Sequence, residues 1–174
     1  MLAISQRPRL YLLGLMLQVT CGVVYGISIF SPGWIADRQT ASWTVKRSLW
    51  EKDFVLCLDD KDVQHCRKIY PSENKLKAAQ GLQCAGFIAV VLGIIYSLFI
   101  NLCRERIEET YVAEALTISG FALGLFGLMM YVSEVRFGLN IAFYWAFVLN
   151  PVALLLAYIS GVMMALNNDP PQAK

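Results

Sequence analysis

The stretch AAQGLQCAGFIAVVLGIIYSLFINLC, residues 78–103, contains no Asp, Glu, Lys or Arg. A bilayer core about 30 Å thick needs roughly 20 helical residues to cross it. This run is long enough to be a membrane span, and Arg104-Glu105-Arg106 closes it. Three further segments are as long and apolar, with Glu114, near one end of residues 111–132, as their single charged residue. Residues 10–30 are opened by Arg7 and Arg9 and closed by Ser31-Pro32; residues 111–132 end at Ser133-Glu134; residues 139–166 end at Asn167-Asn168-Asp169. A signal h-region is about 7–15 residues with a small-residue cleavage site, so the longer first segment is read as a retained span. Composition agrees. Hydrophobic residues make up 57% and charged residues 16%, against about 45–50% and 25% in soluble domains. The expected architecture is a mainly α, single-domain protein that crosses the lipid bilayer four times.

The connections are uneven. Residues 31–77 form one long polar loop, whereas 104–110 and 133–138 are short turns. Four spans place both termini on one side and the loop with the 133–138 turn on the other. Cytoplasmic loops normally carry the Lys/Arg excess. Here the long loop itself holds nine bases and seven acids, so charge bias alone does not orient the chain. No run of five bases exists, which removes the electrostatic footprint of nucleic-acid binding.

Within the loop, Ser42–Trp50 is rich in β-prone residues, and Asp53–Leu58 reads as a strand before an Asp59-Asp60-Lys61 turn. Cys57 and Cys66 are the loop's two cysteines. A local disulfide, which persists in oxidising compartments, is the expectation; two free thiols in a cytosolic loop are the alternative. A structural zinc takes about four N or S ligands, and the loop offers those two cysteines and His65. No metal or cofactor is expected. With a single histidine in the chain, neither a Ser-His-Asp nor a Cys-His site is legible, and the chain is not read as an enzyme.

Small residues recur four apart: Gly22 with Gly26, Gly120 with Gly124, and Ala153 with Ala157 and Gly161. Such spacing lets helices approach closely, within one bundle or between protomers. Asn150-Pro151 falls near the middle of the fourth apolar segment, where proline kinks a helix. Glu114, one turn into the third span, is expected to reach the nearby interface and pair with Arg104 or Arg106. Cys103, beside Arg104, is a juxtamembrane candidate for palmitoylation. The loop charges Lys46, Arg47, Lys52, Asp53, Asp59, Asp60 and Asp62 have mixed signs, which suits a solvated face more than a selective ion path.

Several of these residues together resemble a known group. A span followed by Ser31-Pro32-Gly33-Trp34, then Ser48-Leu49-Trp50, Cys57, Cys66, Tyr70-Pro71 and Leu76-Lys-Ala-Ala-Gln-Gly-Leu82 is similar to the claudin, peripheral myelin protein and epithelial membrane protein superfamily. Phe137–Trp145 resembles that group's entry to its last helix. Ser48 stands where the group has glycine, and six residues separate Trp50 from Cys57, which marks a divergent member. The resemblance implies a left-handed four-helix bundle, a small extracellular antiparallel β-sheet from the first loop, and both termini in the cytosol. It also implies a plasma-membrane protein at cell–cell junctions, contributing to adhesion or a paracellular barrier. Partners would be further copies in cis or in trans, or another membrane protein. An auxiliary subunit of a channel or receptor, stargazin-like, and a membrane organiser of the epithelial membrane protein type are the alternatives. The terminal Pro-Gln-Ala-Lys174 does not match a PDZ-binding ending.

Overall fold

The structure is a computed structural model that describes residues 9–40, 43–50, 54–60, 63–69, 73–103, 110–135 and 141–166. Four helices dominate: α1 (Arg9–Phe30), α2 (Glu73–Cys103), α3 (Thr110–Val135) and α4 (Trp145–Ala165). Each is long and apolar enough to cross a membrane. Helix α1 packs against α2 and α4, and α3 packs against the same two. The helices therefore form a closed ring in which neighbours run antiparallel.

The core positions recur in alternating steps of four and three. On α1 they are Gly14, Gln18, Cys21, Tyr25 and Ser28; on α2, Ala79, Gln83, Gly86, Val90, Gly93 and Ser97. On α3 they are Ala113, Thr117, Gly120, Gly124, Gly127 and Tyr131; on α4, Ala146, Asn150, Ala153, Ala157, Ser160 and Met164. This is a heptad pattern, but its chemistry is inverted. Gln18, Ser28, Gln83, Ser97, Thr117, Asn150 and Ser160 are all buried, whereas Met16, Val23, Ile88, Phe126 and Leu155 lie more than half exposed at 71, 59, 56, 63 and 58%. A water-soluble bundle does the reverse. The distribution fits a bundle whose solvent is lipid, where polar groups must be satisfied inside and small residues let backbones meet.

Two seams show how close the backbones come. Between α2 and α3, a Cβ added at Gly86 would lie 2.8 Å from the Gly120 carbonyl oxygen, and one at Gly93 would lie 3.1 Å from the Ala113 carbonyl oxygen. One at Gly127 would lie 3.1 Å from the Ala79 carbonyl oxygen. Ala79, Gly86 and Gly93 thus meet Gly127, Gly120 and Ala113, each seven residues apart. Between α1 and α4, Ser160 Oγ donates to the Gly14 carbonyl at 2.8 Å, Cys21 Sγ to Ala153 at 3.2 Å, and Ser28 Oγ to Ala146 at 2.9 Å. The step is again seven residues on both helices.

Two boundaries differ from hydropathy. Helix α2 begins at Glu73, five residues before its apolar run, and its 31 residues span about 46 Å. It therefore outruns the bilayer core, and Lys75 pairs with Glu134 of α3 at 2.7 Å. Helix α4 begins at Trp145 rather than at residue 139. Residues Ile141–Phe143 form a short strand, β5, instead. Pro151 consequently sits in the second turn of α4, near the loop-side end, not at mid-span.

The backbone after α1 runs through β1 (Ile35–Thr40), β2 (Trp43–Arg47), β3 (Phe54–Asp60) and β4 (Val63–Ile69). Strands order as β2-β1-β5, with β3 and β4 pairing separately. The β1–β5 register, Ile35 to Phe143 and Asp37 to Ile141, ties the first loop to the entry of α4.

Candidate functional site: the loop-side end of the bundle

The loop is anchored where α1 ends. Gly33 has φ +147°, a conformation that L side chains rarely adopt. A Cβ there would also meet the Trp145 indole nitrogen at 2.9 Å. This sharp exit lets Gly33 and Trp34 close the start of α4: Ala146 N donates to the Gly33 carbonyl at 3.0 Å and Tyr144 N to the Trp34 carbonyl at 3.1 Å. Two orphan amides at the helix entry are thereby satisfied by the loop. Gly33→Ala is expected to cost about 1–3 kcal/mol from backbone strain alone, read as a lower unfolding temperature of the purified protein in lipid nanodiscs.

The Trp34 side chain then drops into the bundle mouth and is fully buried. Its ring stands edge-on to Tyr131 of α3 at 4.9 Å and to Phe147 of α4 at 5.8 Å. Its Nε1 donates to the Ser28 carbonyl of α1 at 2.7 Å. One residue thus joins three helices, with its polar edge satisfied as a buried indole requires. Leu49 is also fully buried, and Gln80 Nε2 of α2 donates to its carbonyl at 2.9 Å. Trp50 is different. It is 40% exposed, stacks on Phe30 with centroids 6.5 Å apart, and donates to the Ile29 carbonyl at 3.0 Å. Of the Trp34, Leu49, Trp50 pattern, two members are interior pins and one lies on the rim.

Below the cap are two buried polar clusters that motif reading did not find. In the first, Gln83 Oε1 accepts from Tyr25 OH at 2.8 Å and from Asn150 Nδ2 at 3.1 Å; Gln83 Nε2 donates to the Gly124 carbonyl at 3.0 Å. In the second, nearer the other end, Gln18 Nε2 donates to Thr117 Oγ1, and Ser97 Oγ donates to Gln18 Oε1 at 3.2 Å. Glu114 is 4% exposed and held within the bundle one turn from Thr117. Arg104 and Arg106, its expected partners, lie outside the described residues.

The glycine and alanine candidates all face helices of the same chain. A Cβ at Gly22 would meet Ile94 at 2.6 Å, and one at Gly26 would meet Phe87 at 3.3 Å, so both line the α1–α2 contact. Gly120 meets α2, Gly124 meets Tyr25 and Leu154, and Gly161 meets Ile118, while Ala157 is fully buried. The strand register sets Cys57 opposite Cys66. The side chains of these two residues, of Cys103 and of the loop charges lie outside the described part. Among the described residues no group of His, Cys, Asp or Glu could hold a metal ion.

The fold and its capped end fit a multi-pass, four-span membrane protein with a loop seated on one mouth of its bundle. Compared with known proteins, the chain matches no protein-family model, and no curated sequence matches it significantly.

Proposed function

We propose that the chain is a claudin-like plasma-membrane protein without catalytic chemistry. It would act at cell–cell contacts through residues 31–77, displayed outside the cell with both termini in the cytosol. The observation that carries this reading is the seating of Trp34. An indole joined to three helices pins the start of the loop to the bundle mouth, which supports a recognition role for the segment that follows. The Cys57–Cys66 register supports a disulfide between β3 and β4, because directly opposed strand positions fall within the Cα separation of about 4.4–6.8 Å that a disulfide needs. The seven-residue core period supports a left-handed bundle. Cis or trans self-association, or pairing with another membrane protein, would then fall to the exposed rim around Phe30 and Trp50.

Two measurements test the proposal. Non-reducing peptide mapping is expected to recover residues 57 and 66 in one linked pair, and an impermeant reagent should label the loop on intact cells. Freely alkylatable sulfurs in native membranes would contradict it. A tagged copy in an epithelium is expected to concentrate at lateral borders. Stoichiometric co-purification of one channel, without border enrichment, would favour an auxiliary-subunit role instead.

A further inference from the structure

The two seams and the two polar clusters divide the work of holding the bundle together. Neighbours α1 and α4 meet through Gly14, Cys21 and Ser28 against Ser160, Ala153 and Ala146. Neighbours α2 and α3 meet through Ala79, Gly86 and Gly93 against Gly127, Gly120 and Ala113. Both seams are built from small residues, in which backbone lies against backbone. The buried side chain-to-side chain bonds instead run between the two pairs: Tyr25–Gln83 and Ser97–Gln18 join α1 to α2, and the rest cross the ring's diagonals. Gln18 of α1 bonds to Thr117 of α3, and Gln83 of α2 exchanges hydrogen bonds with Asn150 of α4 at 3.1 and 3.4 Å. Each diagonal joins one helix of the first pair to one helix of the second.

We propose that the protein is a two-part device: the α1/α4 and α2/α3 pairs are rigid halves, and the Gln18–Thr117 and Gln83–Asn150 locks hold the halves closed, the second lock setting the position of the loop. The route from that lock to the loop is continuous. Asn150 lies one turn above Ala146 in sequence. The Ala146 carbonyl accepts from Ser28 Oγ and its amide donates to Gly33. The Ser28 carbonyl in turn receives the Trp34 indole. Parting the halves at Gln83–Asn150 therefore draws Tyr131 of α3 away from the Trp34 ring, which α1 and α4 hold, whereas sliding within either half is opposed at three positions spaced by seven residues. Buried carboxamides fix one arrangement of helices in the same way elsewhere, because every alternative leaves them unpaired.

The full chain in lipid nanodiscs tests this, with Cys21, Cys84 and Cys103 changed to alanine, Cys57 and Cys66 retained, and nitroxide pairs read by dipolar EPR. One pair, at Ile27 and Ile88, reports between the halves. Two others, at Ile27 and Val148 and at Ile88 and Phe126, report within them; all four positions are exposed. Gln83→Leu and Asn150→Leu are each expected to lengthen and broaden the distance between halves while leaving the distances within halves unchanged. The exchanged pair, Gln83→Asn with Asn150→Gln, is expected to restore the closed distance. Asn150→Leu serves if Gln83→Leu fails to fold, since it leaves Gln83 its bonds to Tyr25 and Gly124. Unchanged distances in every lock variant would overturn the proposal. So would equal broadening within and between the halves.

Discussion

Trp34→Ala is expected to remove about 3–5 kcal/mol, the range seen when a buried large aromatic is truncated. The indole is fully enclosed, packs edge-on against two aromatic rings and satisfies the last turn of α1. Alanine would leave a cavity at the junction of three helices and would free the loop from the bundle mouth. Thermal unfolding in nanodiscs, followed by loss of monodisperse protein, should show a large drop in midpoint. Trp50→Ala is the matched control. Its ring is partly exposed, stacks on the exposed Phe30 and donates one hydrogen bond to Ile29, so its loss is expected to cost about 1 kcal/mol, near the centre of the range for single substitutions. Comparable losses at both positions would mean that Trp34 is not the pin.

The second large effect lies at the α2–α3 seam. A Cβ at Gly86 would sit 2.8 Å from the Gly120 oxygen and 2.9 Å from the Gly124 nitrogen. Both obstacles are backbone and cannot swing aside. Gly86→Leu is therefore expected to force the helices apart and cost about 3 kcal/mol or more, the upper range for overpacking. Gly81, on the same helix, has nothing within 4 Å of its would-be Cβ. Gly81→Ala should raise stability by about 0.5–1 kcal/mol through helix propensity alone. Reversible unfolding in mixed micelles measures both, and the opposite signs separate seam packing from a general dislike of substitution in α2.

Much of the architecture is legible as hydropathy, and the parts that are not follow from what hydropathy measures. It reports the solvent of a segment, so the four runs stand out. It does not report conformation. Ile141–Phe143 are as apolar as the helix that follows, yet pair with β1; Glu73–Lys77 are polar, yet continue α2. The core is hidden for a related reason. In lipid, apolar residues cover the outside, so Gln18, Gln83, Thr117 and Asn150 look like interruptions of a span instead of its center. The small-residue spacing of four marks Gly22 with Gly26 on the α1–α2 contact but does not reveal the α2–α3 seam. Spacing of four picks out Gly120 and Gly124, whereas the α2–α3 seam repeats every seven residues on both helices, from Ala79 and from Ala113. Of the loop pattern, sequence locates Trp34, Leu49 and Trp50 together. Only packing separates the two buried pins from the rim residue.

The account rests on a bundle whose exterior is lipid and whose polar groups face inward. Collisional EPR on single nitroxides at Met16, Val23, Ile88, Phe126 and Leu155 addresses this most directly. All five sites are predicted to relax strongly with oxygen and weakly with a water-soluble nickel complex, as lipid-facing positions do. Strong nickel accessibility at these exposed apolar positions would place them in water and contradict the fold's assignment to the membrane.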